Sequence, residues 1–206
     1  MFTVKDGELL IKFARENIES FLKENRRIPV PTDIKNKFGD KYGAFITLNQ
    51  FNVSGNPLRG CVGYIEPTFP LYEVVHRVSI SAAVEDTRFP SVTLEEMNKI
   101  VIELSILTPP ELIQVESPEE YLDKIVIGRD GLIAEQGMRR GLLLPQVPVE
   151  HGRDWDVETF LSHTCQKAWL PSDSWKNKST KIYSFQAILF EEVTPGGEVK
   201  RKYITE

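Results

Sequence analysis

The residues best suited to chemistry lie in one run, Arg59-Gly60-Cys61-Val62-Gly63. Glycines on either side of a cysteine let the backbone bend and bring N–H groups close to a ligand, while the planar guanidinium of Arg59 suits a carboxylate or phosphate. Such a place fits a bound anion or a nucleophilic thiolate, because an adjacent arginine and converging N–H dipoles lower a thiol's pKa. In the enzymatic version Cys61 attacks, Gly60 and Gly63 N–H groups hold the developing charge, and Glu103 or a histidine moves protons. The same residues also describe a cysteine packed in a glycine-kinked strand, since cysteine is among the residues most often buried. Sequence alone leaves both readings open.

Other candidates are weighed the same way. Asp86 and Arg88, in Asp86-Thr87-Arg88-Phe89-Pro90, can orient a partner of Arg59 or line a pocket with Glu103 and Ser105. They fit an ordinary helix-ending turn equally well. His76 and His163 are possible bases for Cys61, but a lone histidine is more often simply hydrogen-bonded structure. Cys165 falls on the core-facing side of its helix and reads as packing. Ile127-Gly128-Arg129-Asp130-Gly131 matches the glycine loop with which KH modules clamp RNA, yet its flanks read as strands, so RNA binding there is not expected. No phosphate loop, dinucleotide fingerprint, zinc-protease helix or serine elbow occurs. With two cysteines and three histidines, neither a metal site nor a cofactor is expected.

The elements that must position these groups follow from periodicity. Leu10, Phe13, Ala14, Ile18 and Phe21 recur at helical spacing over Glu8 to Leu22, and Leu71 to Ala83 predicts a second helix apolar on both sides. Ala44 to Leu48 and Leu58 to Ile65 predict a hairpin across Ser54-Gly55-Asn56-Pro57, which puts Cys61 on or beside a sheet. In Ile100 to Leu107 the alternation gathers Ile102, Leu104 and Ile106 on one face and leaves Glu103 and Ser105 on the other. Thr93 and Glu96 have capping-box spacing. Asp130-Gly131 predicts a hairpin between Ile125–Ile127 and Leu132–Ala134, Leu142 to Leu144 a further strand, and Asp154 or Asp156 the cap of a helix ending before Pro171. Two strands, Ile182 to Val193 and Glu198 to Ile204, close the chain around Pro195-Gly196-Gly197. Hairpins interleaved with helices give an α+β class.

With 206 residues and 41% hydrophobic content the chain can bury a large core. A net charge of −5 argues against non-specific nucleic-acid binding. Cys61 and Cys165 form no paired spacing, the first ten residues lack the apolar core of a signal peptide, and no apolar run approaches a membrane span. A cytoplasmic protein is the expectation.

Leu58-Arg59-Gly60-Cys61-Val62-Gly63 resembles the six-residue signature of the AMMECR family. Asp86 to Pro90, Ile102 to Leu107, Ile127-Gly128 with Gly131-Leu132, and Leu143 to Val147 resemble later segments of that family in the same order, especially in its prokaryotic members. The resemblance covers essentially the whole chain. It implies a single AMMECR domain of two lobes with mixed or antiparallel sheets and flanking helices, the larger lobe built from both chain ends, the smaller from the middle, and the signature facing a cleft between them. It also implies a role beside a Memo-like protein and a radical-SAM protein, the prokaryotic AmmeMemoRadiSam set, without naming a substrate. Two functions therefore stay open: a thiol-dependent enzyme acting on an anionic small molecule or protein group, or a non-catalytic adaptor or ligand-binding regulator. One departure is local, Lys167-Ala168-Trp169-Leu170 standing where many prokaryotic relatives have glycine in place of the tryptophan.

Overall fold

The computed structural model describes residues 2–149 and 153–203. The chain divides into two compact units, one made of Met1–Leu107 with Ile188–Lys202, the other of Thr108–Ala187 with Tyr203–Glu206.

In the first unit, helix α1 (Val4–Glu24) starts at Thr3 in a capping box with Asp6, two orphan donors being satisfied reciprocally. A short α2 (Thr32–Lys37) follows in a stretch whose prolines and charges gave no helical signal. Strands β1 (Gly43–Gln50) and β2 (Leu58–Tyr64) form the expected hairpin, and α3 (Leu71–Val84) comes next. No residue of α3 is exposed, as its two-sided apolar pattern predicts, because it packs against both α1 and the β1–β2 hairpin. Strand β3 (Ile100–Leu107) pairs antiparallel with β1. The order runs β2-β1-β3-β7, where β7 (Lys181–Glu192) supplies its last residues to this unit and pairs with β8 (Val199–Lys202).

The core fills the space between α1, α3 and one sheet face: Leu10, Ile18, Val74, Val78, Ile46, Leu48, Ile102, Leu104 and Phe190 among others. Each such side chain contributes roughly 1.5–3 kcal/mol on burial. Period-2 alternation then sends Thr47, Cys61, Glu103 and Ser105 to the opposite face.

The second unit holds β4 (Glu111–Leu112), α4 (Glu120–Lys124), β5 (Asp130–Gln136), β6 (Arg139–Leu143) and α5 (Val157–Lys167). Its strands run antiparallel, β5 between β7 and β6 and β4 on β7, around a core containing Phe160, Leu161, Cys165, Trp175 and Ile182. One expectation is corrected here. Ile125–Ile127 is not a strand; it is the exit from α4, where the Asp130 carboxylate accepts the Val126 N–H at 2.9 Å. The hairpin is instead β5–β6, turning at Gly137, whose φ of +61° suits glycine. Asp156, rather than Asp154, caps α5. Antiparallel sheets flanked by helices make this an α+β fold. No helix among the described residues is long and apolar enough to cross a membrane.

Candidate functional site

β2 is the outermost strand of its sheet, and its register with β1 sets Cys61 opposite Thr47 and Gly63 opposite Phe45. On the far side of β1, Thr47 faces Glu103 and Phe45 faces Ser105. Two transverse rows result, Cys61–Thr47–Glu103 and Gly63–Phe45–Ser105. Neighbouring strands lie about 4.8 Å apart, so the backbones of Cys61 and Glu103 are roughly 10 Å apart with Thr47 between them. The Thr47 hydroxyl donates to Cys61 Sγ at 3.2 Å.

The outer edge of β2 is where the two motifs meet. The Cys61 N–H donates to Asp86 Oδ2 at 2.8 Å, and Arg88 Nη2 donates to the Cys61 carbonyl at 3.3 Å. Arg88 grips Asp86 in turn through Nε at 2.9 Å and Nη2 at 2.7 Å. A carboxylate and a guanidinium thus stand in for the backbone groups that a further strand would offer, which is one way to close a sheet edge. Arg88, then the Cys61 and Arg88 N–H groups, hold the Asp86 carboxyl well below the usual range despite its burial. Ladder alternation points the backbone N–H and C=O of Gly63 to the same outer edge. Beyond Gly63 lies a recess of about 330 Å³ lined by Tyr64, Glu66, Thr68 and Phe69, and the Arg77 guanidinium sits 4.6 Å from the Phe69 ring centre.

Arg59 has a different fate. The register slips between Leu48 and Asn49, so Arg59 has no partner in β1. Its guanidinium donates through Nε to Glu96 at 3.0 Å, through Nη1 to the Pro90 carbonyl at 2.8 Å, and through Nη2 to Glu96 and the Ser91 carbonyl at 3.2 and 3.3 Å. It fastens β2 to the segment after Asp86 and is nearly buried. The glycines are required by close approach: a Cβ on Gly60 would stand 2.1 Å from the Ala82 carbonyl oxygen, and one on Gly63 would enter the Phe45 ring.

The Cys61 thiol is half-buried, and its pKa is raised. Burial is the main cause, with Glu103 and Asp86 adding to it against the opposing Thr47 hydrogen bond and Arg88 charge. Glu103, at 9% exposure, receives a 2.7 Å bond from Lys202, which also approaches Glu191 at 3.3 Å. His76 is engaged elsewhere, its Nε2 lying 2.9 Å from the Ile28 carbonyl and its ring on Phe13. His163 stacks on Trp155 in the second unit, where Cys165 is fully buried in the core. Thr47, Glu96 and Lys202 contact the expected residues without having been singled out. Only Glu96 carried a signal, its spacing from Thr93, and the capping bonds of that pair are present. Among the described residues no group of three or more His, Cys, Asp or Glu could hold a metal.

The sequence matches the AMMECR1 family over residues 11–190. Protein MJ0810 of Methanocaldococcus jannaschii is 52% identical over 98% of both chains, and Protein PH0010 of Pyrococcus horikoshii is 51% identical over the same shares. The crystal structure of uncharacterized protein PH0010 superposes with a TM-score of 0.83, covering 96% of each chain at 51% identity. With a family match over most of its length and relatives about half identical from end to end, one of them of the same fold, the chain belongs to the AMMECR1 family.

Proposed function

We propose that this protein is a non-catalytic binding factor of the cytosol, in which the outer edge of β2 from Cys61 to Gly63 receives an anionic group of a small molecule or a partner protein. The observation that carries this reading is that each polar handle of Cys61 is already engaged: the N–H by Asp86, the carbonyl by Arg88, the sulfur by Thr47. A nucleophile needs thiolate character, whereas burial holds this thiol in its neutral form. Arg59, with its N–H groups on Glu96 and two carbonyls, braces the site; Arg88, whose side chain is 55% exposed, is the cation that an incoming anion meets. Gly63 offers its N–H beside the recess, with Asp86 and Ser105 as supporting polar groups. Memo-like and radical-SAM proteins are the partners that the family resemblance favours.

Two measurements test this. Iodoacetamide alkylation of Cys61 against pH is expected to show a midpoint above that of an unstructured cysteine peptide; a midpoint below it restores the nucleophile. Titration with inorganic phosphate, followed by amide resonances, is expected to shift Gly60 to Gly63 and Arg88 in the wild type and in Cys61→Ser, but not in Arg88→Ala. Shifts that survive Arg88→Ala, or none at all, would sink the anion edge.

A further inference from the structure

The second unit carries a different recess, of about 480 Å³, lined by Trp155, His163, Trp169, Arg153, Lys167 and Leu143 among others. Pockets of this size accommodate small organic ligands. Two observations make this one unusual.

The first is Trp169. Helix α5 ends in a Schellman motif: the Leu170 N–H donates to the Cys165 carbonyl at 3.0 Å and the Trp169 N–H to the Gln166 carbonyl at 2.9 Å. That pattern puts Trp169 at the left-handed position, φ +59°, which glycine adopts freely and a bulky side chain adopts under strain. The indole is nevertheless 86% exposed, so it does not offset that strain by packing. A strained residue with no role in the core is a mark of function.

The second observation is charge. In a chain of net charge −5, the described residues that line this recess include Arg153 and Lys167 and no carboxylate. Both cations are exposed, and Lys167 has no carboxylate partner among the described residues. Arg153 lies over the Trp155 ring at 5.4 Å, and the His163 ring stacks on Trp155 at 4.1 Å, which makes an aromatic wall.

Flat aromatic surface with a surplus of positive charge is the chemistry that recognises a planar ring bearing an anion. We infer that the recess binds a nucleoside monophosphate or a ligand of that class, its ring stacked on the Trp169 indole and its phosphate paired with Arg153 and Lys167. None of the described residues lining it belongs to β2.

Calorimetric titration of the full chain with adenosine 5′-monophosphate, adenosine and ribose 5-phosphate tests it. The monophosphate is expected to bind about tenfold or more tightly than either fragment, since stacking and charge each contribute at that level. Trp169→Gly is the decisive variant, because it relieves the backbone strain: its melting temperature is expected to rise while affinity for the monophosphate falls about tenfold or more. The Arg153→Ala, Lys167→Ala double variant is expected to bind the monophosphate no better than adenosine. Undetectable binding of the monophosphate at millimolar concentration, or unchanged affinity in Trp169→Gly, overturns the proposal.

Discussion

At the scale of single residues, the signature segment is mostly an account of close packing. Arg59→Ala would release the Pro90 and Ser91 carbonyls to water and leave Glu96 with the Thr93 N–H but without its cation. The expected cost is about 2–4 kcal/mol in urea unfolding, the lower half of that range reflecting the partial exposure of Glu96. Glu96→Gln, which keeps an acceptor, is expected to cost about 1 kcal/mol. Gly60→Ala sets a methyl against the backbone of α3 and cannot be relieved by a side-chain rotation, so a loss of about 1–3 kcal/mol or more is expected. A neutral result for Gly60→Ala would mean that β2 and α3 separate easily. The sequence made Arg59 look like a ligand-binding group because it opens the glycine-flanked run around Cys61. Nothing in the local spacing announces that Glu96 and two loop carbonyls, more than thirty positions away, take up its N–H groups. The pairing of Cys61 with Asp86 and Arg88, 25 and 27 positions away, was hidden in the same way, although both segments were visible as motifs.

At the scale of elements, the start of α1 shows how one side chain can hold two helices. The Asp6 carboxylate accepts from the Thr3 N–H and hydroxyl, both at 2.7 Å, and lies 2.6 Å from Lys37 of α2. Burial pushes this carboxyl up, but the Lys37 bond and the two Thr3 bonds outweigh it and bring the pKa to about 2. A folded-state pKa below the unfolded value of 3.8 means stability fully present above about pH 4 and lost as the pH falls toward 2. Asp6→Asn is therefore expected to unfold about 1–2 kcal/mol more easily at neutral pH, the exposed Lys37 limiting the effect, and to match the wild type near pH 2. A constant difference across that range would show that Asp6 acts by shape alone. Long periodic elements such as α1 and α3 were legible because their apolar stripes are set by the core they cover. Ile125–Ile127 was misread because three apolar residues carry no period, and the Asp130 side chain decides the turn there. α2 was missed because its one buried apolar residue, Ile34, is too short a pattern to detect.

At the scale of the whole molecule, the first unit is assembled from chain segments that begin and end the described structure, and ion pairs join them, Lys202 with Glu103 and, deeper, Arg15 with Glu192. Arg15 of α1 donates through Nε and Nη2 to the two carboxylate oxygens of Glu192, at the end of β7. Its remaining N–H groups reach the Met97 and Ile100 carbonyls at 3.1 and 2.7 Å, and Glu192 also accepts the Ile102 N–H at 2.8 Å. Glu192 is 5% exposed, so its removal takes from a mostly buried guanidinium its bidentate carboxylate and leaves the Ile102 N–H without its acceptor. Glu192→Ala is expected to cost about 3–5 kcal/mol, read as lost hydrogen-exchange protection in α1, α3 and β3. Arg15→Met should cost a similar amount, because it strands the carboxylate. The two losses share one cause, so the double variant should be less damaging than their sum by about 2–3 kcal/mol. Strict additivity in that cycle would mean that α1 and the end of β7 are held by the surrounding core, Phe190 above all, with the ion pair contributing nothing of its own.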